Sequence, residues 1–194
     1  MSATAYIGTA VHDGAGLQRG VALVVEAGRL LALASPGELP EGCEVVQTGA
    51  AMLAPGYVDL QVNGGGGVML NDGPSVERLE VIARAHAACG TTSILPTLIT
   101  AAPDVVTEAI SAVTEPVSGV IGLHLEGPHL DVRRAGAHAP GLIRTMEQAD
   151  LEELVAAAGA PEVLKVTLAP ASVSLGQVEK LTAAGVVVSL GHSE

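Results

Sequence analysis

Phenylalanine and tryptophan are absent from the 194 residues, and Tyr6 and Tyr57 are the only aromatic side chains besides histidine. A core without large rings has to be assembled from Val, Leu, Ile and Ala, which suits a sheet covered by Ala-rich helices. Basic residues are scarce too: nine Lys and Arg stand against 21 Asp and Glu, a formal net charge of −12. No cluster of Lys or Arg breaks that excess. A nucleic-acid partner and an anionic membrane surface are therefore not expected, since each needs a basic face to neutralise phosphate. An anionic ligand would have to be held by local groups against this field.

Two cysteines, Cys43 and Cys89, are too few for a disulfide framework or a paired-cysteine zinc motif. No stretch of about 18 apolar residues is present, and the N-terminus MSATAYIGTAVHDG lacks the basic end and apolar run of an export signal. The expectation is a cytoplasmic protein with reduced thiols. What is present is the composition of a globular protein, 48% hydrophobic and 15% charged, with 24 glycines.

Residues 1–51 read as short strands joined by Gly turns, at Thr4 to Val11, Val21 to Glu26 and Arg29 to Ala34, part of a small β domain. From residue 52 to 194 apolar strand-like runs alternate with helical patterns, the grammar of parallel βαβ units. Strands are expected at Leu53 to Val62, Thr91 to Thr97, Val120 to Glu126, Leu164 to Ala169 and Val186 to Leu190. Helices are expected over Ser75 to Cys89, Asp104 to Glu115, Glu147 to Ala158 and Gln177 to Ala184. A complete α/β barrel takes about 250 residues. The 143 residues after residue 51 have room for about five of its eight units, and the chain stops at His192-Ser193-Glu194 just after a strand. It reads as the front part of a larger enzyme. A complete open doubly wound sheet of five strands is the competing architecture. No Gly-rich phosphate loop supports it, because Gly64 to Gly67 lack the GxGxxG spacing and the Lys of a P-loop.

Three segments carry chemistry. Gly122 to Pro128 is a strand that ends in Glu126 before a Gly-Pro break, and a carboxylate there faces the mouth of a barrel. Buried Glu is rare unless paired or metal-bound, although a capping role or an ion pair would also account for it. Val186 to Ser193 delivers His192 at the end of another apolar strand. Imidazole and carboxylate both bind zinc or ferrous iron, yet a hydrogen-bonded loop His is the plainer reading. Pro55 to Gly64 carries Gln61 and Asn63 on one strand face. Paired amides bind a transition metal poorly, and Asn63-Gly64 is also a good turn dipeptide. Of the other histidines, His86 lies on the apolar face of its helix, His124 shares a strand face with Glu126 and can orient a ligand, and His12 reads as a turn residue. His129 follows the Gly-Pro break, in a segment that reads as a candidate flap.

Taken together and in order, APGYVDLQVNG, GTTSILPTLIT, GLHLEGPHL, GAHAPG, KVTLAP and VVVSLGHS resemble the amidohydrolase superfamily. Within it they resemble the deacetylases that act on N-acetylglucosamine 6-phosphate. The resemblance implies a (β/α)8 TIM-type barrel, of which this chain holds about the first five βα units, preceded by part of a small β-sandwich. Most amidohydrolases carry His-x-His where this chain has Gln61-Val62-Asn63, and some of these deacetylases share the replacement. The resemblance then implies one divalent ion, zinc or iron, with Glu126 and His192 as metal ligands and Ala137 and His138 contacting the sugar. A further histidine ligand, the general-base Asp and the phosphate-binding residues are expected beyond Glu194, so the chain alone is expected to be inactive. The implied substrate is a small amino-sugar phosphate, and the full-length enzyme is expected to form a homo-oligomer, a dimer. The alternatives are an inactive fragment or binding module of the same fold, or another amidohydrolase acting on a cyclic amide.

Overall fold

The computed structural model describes residues 3–194, which form two compact units, one up to Gly56 and one over Tyr57–Glu194. The first unit contains only strands, named here β1 (Thr4–Ile7), β2 (Ala10–His12), β3 (Leu17–Gln18), β4 (Ala22–Glu26), β5 (Arg29–Ala34), β6 (Glu44–Gln47) and β7 (Met52–Leu53). They make a four-stranded sheet of order β5-β4-β1-β6 and a three-stranded sheet of order β3-β2-β7. The expected strand over Thr4 to Val11 is in fact two. Gly8 interrupts it, at a point where a Cβ would lie 2.3 Å from the Ala51 carbonyl oxygen. The backbones approach too closely there for any side chain. Buried Ala3, Ala5, Ala22 and Val24 form the small core of this unit.

The second unit alternates strand and helix. Its strands are β8 (Tyr57–Val62), β9 (Thr91–Ile99), β10 (Gly122–Glu126), β11 (Val163–Leu168) and β12 (Val187–Leu190). Its helices are α1 (Val76–Ala87), α2 (Pro103–Ala112), α3 (Gln148–Ala157) and α4 (Leu175–Ala183). All strand pairs are parallel, and the sheet order follows the chain, β8 to β12. The strand expected over Leu53 to Val62 is broken at Ala54-Pro55-Gly56, where Pro55 has no N–H to give a ladder. Helix starts follow local chemistry. The Ser75 hydroxyl accepts from the Arg78 N–H, and Ser174 with Gln177 forms a capping box on α4.

Alternation along β10 separates two environments. Leu123 and Leu125 turn toward the helices and join the main core with Leu98, Leu151, Leu164, Val166, Leu168 and Leu181. His124 and Glu126 turn to the opposite face of the sheet. Gly122 opens this strand because a Cβ there would come within 1.9 Å of the Val163 carbonyl oxygen on β11. Close contact between β10 and β11 therefore sets the height at which His124 and Glu126 project. No helix among the described residues is long and apolar enough to cross a membrane.

A candidate metal centre

Three side chains meet at the C-terminal ends of the strands. One ligand atom each from Glu126, His138 and His192 lies within 4.8 Å of the others. Glu126 ends β10 and is buried, at 6% exposure. Its Oε1 lies 3.2 Å from His192 Nε2 and accepts a hydrogen bond from the Gln61 amide at 3.1 Å. Its Oε2 lies 3.9 Å from His138 Nε2. The rings of His138 and His192 stand edge to face, 4.5 Å apart.

His192 follows β12 in the left-handed backbone region, φ 50°, which a non-glycine residue adopts only when its surroundings hold it there. Its carbonyl accepts from the Asp131 N–H at 3.1 Å, and the Gly191 N–H donates to Leu168 at 3.1 Å. The absence of a side chain on Gly191 lets the loop pass over Thr167, whose Cγ2 would lie 2.7 Å from a Cβ.

Hydrogen bonding assigns the two imidazoles opposite tautomers. A carbonyl oxygen can only accept, so the 2.9 Å contact of His192 Nδ1 with the Arg134 carbonyl puts a proton on Nδ1. In the neutral ring the lone pair of Nε2 then faces Glu126. Two acceptor atoms 3.2 Å apart repel unless a proton or a cation lies between them. Tetrahedral zinc sets neighbouring N and O ligands about 3.3 Å apart, so the pair fits a divalent ion in spacing as well as in chemistry. His138 is the reverse case. Its Nδ1 accepts from the Thr100 N–H at 3.3 Å, which leaves the proton on Nε2, the atom that faces Glu126. An Nε2–H is a donor and offers a metal no lone pair. Burial pushes the His138 pKa down, the nearby carboxylate of Glu126 pulls it up, and His192 lowers it further.

Below Glu126 a row of three buried side chains crosses the sheet. His124 bonds through Nδ1 to the Thr97 hydroxyl (3.1 Å) and through Nε2 to the Thr167 hydroxyl (2.7 Å). Burial, with a smaller contribution from the Lys165 charge, pushes the His124 pKa down to about 4. The ring is therefore a neutral spacer at ordinary pH.

No family model matches the chain. Curated proteins do. An N-acetylgalactosamine-6-phosphate deacetylase from a Shewanella species is 43% identical over 148 residues, which are 73% of this chain and 36% of the relative. The N-acetylglucosamine-6-phosphate deacetylase of Haemophilus influenzae is 32% identical over 180 residues, 90% of this chain and 46% of the relative. Among solved structures, the N-acetylglucosamine-6-phosphate deacetylase of Pasteurella multocida superposes with a TM-score of 0.92 at 31% identity, over 98% of this chain and 51% of its own. The chain is a homologue of the N-acetylglucosamine-6-phosphate deacetylases. It spans less than half the length of these two curated relatives. The wider set of structural neighbours consists of amidohydrolase-fold proteins, so the α/β reading holds.

The structure brings Glu126 and His192 together, as a shared barrel mouth would, and adds Gln61, whose amide reaches the same carboxylate oxygen. Asn63 and Ala137 are exposed and contribute no atom to the cluster. His138 arrives from a loop 12 residues beyond Glu126 and is 4% exposed. His129, in the segment read as a candidate flap, is packed inside the fold. It is 2% exposed, with Nδ1 3.3 Å from the Arg144 carbonyl and its own carbonyl accepting from Ala169. His86 Nε2 lies 3.0 Å from the Gly64 carbonyl, away from the cluster, and His12 accepts from the Gly14 N–H in a turn. Sequence reasoning missed Thr97, Thr100 and Thr167. Hydroxyls on β-branched residues within apolar strands read as strand formers, and their partners lie 27 to 43 residues away.

Proposed function

We propose that this chain carries the metal-holding part of a deacetylase that hydrolyses the acetamide of an N-acetylhexosamine 6-phosphate, releasing acetate and the free amine. The observation that carries the proposal is the approach of His192 Nε2 to the Glu126 carboxylate, 3.2 Å apart, in a homologue of these deacetylases. Glu126 and His192 are the ligands, and Gln61 holds the carboxylate by its amide. A divalent ion bound there, zinc or iron, supplies Lewis acidity for the acetamide carbonyl and acidifies a water. His138, buried and carrying its proton on Nε2, donates toward the acetamide oxygen as negative charge gathers on it. Ala137, just ahead of it, lines the same loop for the sugar.

In the same reading, a further histidine ligand and the Asp that takes the water's proton and returns it to the amine belong to the protein beyond Glu194. The five strands are then the first staves of a (β/α)8 barrel and the small sheets part of a β-sandwich. Exposure along the two edge strands supports this: Val58 and Leu60 on β8 and Val187 and Leu190 on β12 are all at least half exposed.

Relatives named for both C4 epimers match the chain, the galactosamine form at 43% identity, so the substrate class is stated as the pair. The test is acetate release from each epimer by the protein as its gene encodes it, with metal content measured in parallel. Turnover of at least one epimer that a chelator abolishes and zinc or ferrous iron restores is expected. A protein that binds the sugar phosphate without releasing acetate would be a binding module, and the proposal would fall.

A further inference from the structure

Resting on the reading of His138 as a donor, we propose that Thr100 is a positioning residue that fixes the tautomer and the orientation of that imidazole. Thr100 lies just past the end of β9 and is 6% exposed. Both of its polar groups converge on one atom: the backbone N–H lies 3.3 Å from His138 Nδ1 and the hydroxyl 2.8 Å from it. A backbone N–H can only donate, so Nδ1 must be the unprotonated nitrogen. Nothing else among the described residues accepts from that N–H, and leaving it unpaired in a buried place costs about 1–3 kcal/mol. The hydroxyl bridges His138 Nδ1 at 2.8 Å and the Glu126 carbonyl at 3.4 Å, so it fixes where the ring sits, while the N–H fixes which nitrogen carries the proton.

The pocket is shaped around this hydroxyl. A Cβ on Gly127 would lie 2.3 Å from Thr100 Oγ1, and Gly127 holds φ 84°, a region that favours glycine. Glycine after Glu126 therefore makes space for the group that orients His138. The same strand end thus carries the carboxylate and the room for the hydroxyl that seats the donor opposite it. Thr100 acts through His138: its polar atoms reach the His138 ring and the Glu126 backbone carbonyl.

The tautomer is read directly by long-range proton–nitrogen NMR on 15N-labelled protein above pH 7, with the His138 ring assigned by its loss in His138→Asn. The wild type should show one tautomer, with Nδ1 free and Nε2 protonated. Thr100→Val, which keeps the N–H but removes the hydroxyl, should keep that tautomer while the ring, held by one contact in place of two, loses its fixed orientation and its resonances shift or broaden. Thr100→Ser should restore the wild-type ring spectrum. In the deacetylase assay the Val variant should lose about 10- to 100-fold in kcat with KM within about threefold, and Ser should recover most of it. A wild-type ring protonated on Nδ1, or a Val variant with an unchanged ring spectrum, would overturn the proposal, and the wild-type spectrum decides even if Thr100→Val does not fold. The ring spectrum needs no turnover. The predicted tautomer in a protein without deacetylase activity would remove the functional reading and leave the role of Thr100 standing.

Discussion

Glu126→Gln is expected to strip the divalent ion from the protein and, with it, hydrolysis of the acetamide, while leaving the fold in place. The side chains have the same shape, and an amide oxygen at the same position still accepts from Gln61, 3.1 Å away. Only the charge is lost. That charge is what a buried cation requires, because an amide gives a divalent ion little electrostatic return for its lost hydration. Removing groups that merely support a metal ligand costs about 10- to 100-fold in affinity, so loss of the carboxylate itself should cost more than about 100-fold. Stability gives an independent readout. Ligands that bind only the native state stabilise it by mass action, so zinc should raise the Tm of the wild type and leave that of Glu126→Gln unchanged. An unchanged metal content in the variant would show that the ion, if bound, sits elsewhere.

Acid should destabilise the fold through His124. Its pKa is pushed down to about 4 from the ordinary 6.5, chiefly by burial between β9 and β11. The unfolded chain therefore takes up a proton near pH 6.5 that the native state refuses until about pH 4. Stability is greatest above pH 6.5 and falls as the pH is lowered through that window. A depression of this size corresponds to roughly 3 kcal/mol by the time pH 4 is reached. His124→Asn still offers a donor and an acceptor to the Thr97 and Thr167 hydroxyls but has no proton to take up. Urea unfolding midpoints at pH 7.5, 6, 5 and 4 should show the wild type losing about 3 kcal/mol more than the variant across the series. Parallel curves would mean that His124 is protonated in the native state, and the picture of a neutral spacer beneath Glu126 would be wrong.

How much of this was readable beforehand differs from element to element. The five parallel strands announced themselves because Leu123, Leu125, Leu164, Val166 and their neighbours face a helix-covered core and so form nearly continuous apolar runs. Glu126 and His192 were visible for the same reason: a polar residue ending such a run is conspicuous, and both reach the cluster. The short strands of the first unit were harder. β6 is four residues long and pairs in parallel with β1, about 40 residues earlier, a contact that no local pattern encodes. His138 could be assigned only through family resemblance, since a loop histidine carries no periodicity. The His124 pair of hydroxyls and the Thr100 contact were not legible at all. The first arises from strand register, which sets Thr97 opposite His124 and Thr167 opposite Glu126, and the second from a loop that folds back over the end of β9. The tautomers of His138 and His192 needed the partners of each Nδ1, and those are Thr100 and Arg134 in both cases far along the chain.

One cation shared by Glu126 and His192, with His138 beside it as a donor, underlies every role assigned above. Anomalous diffraction at the zinc edge from crystals of the zinc-loaded protein tests this most directly. The expected result is a single peak about 2.0–2.2 Å from both a Glu126 carboxylate oxygen and His192 Nε2, with His138 Nε2 outside bonding distance. A peak bonded to His138 Nε2, or one remote from Glu126, would contradict it.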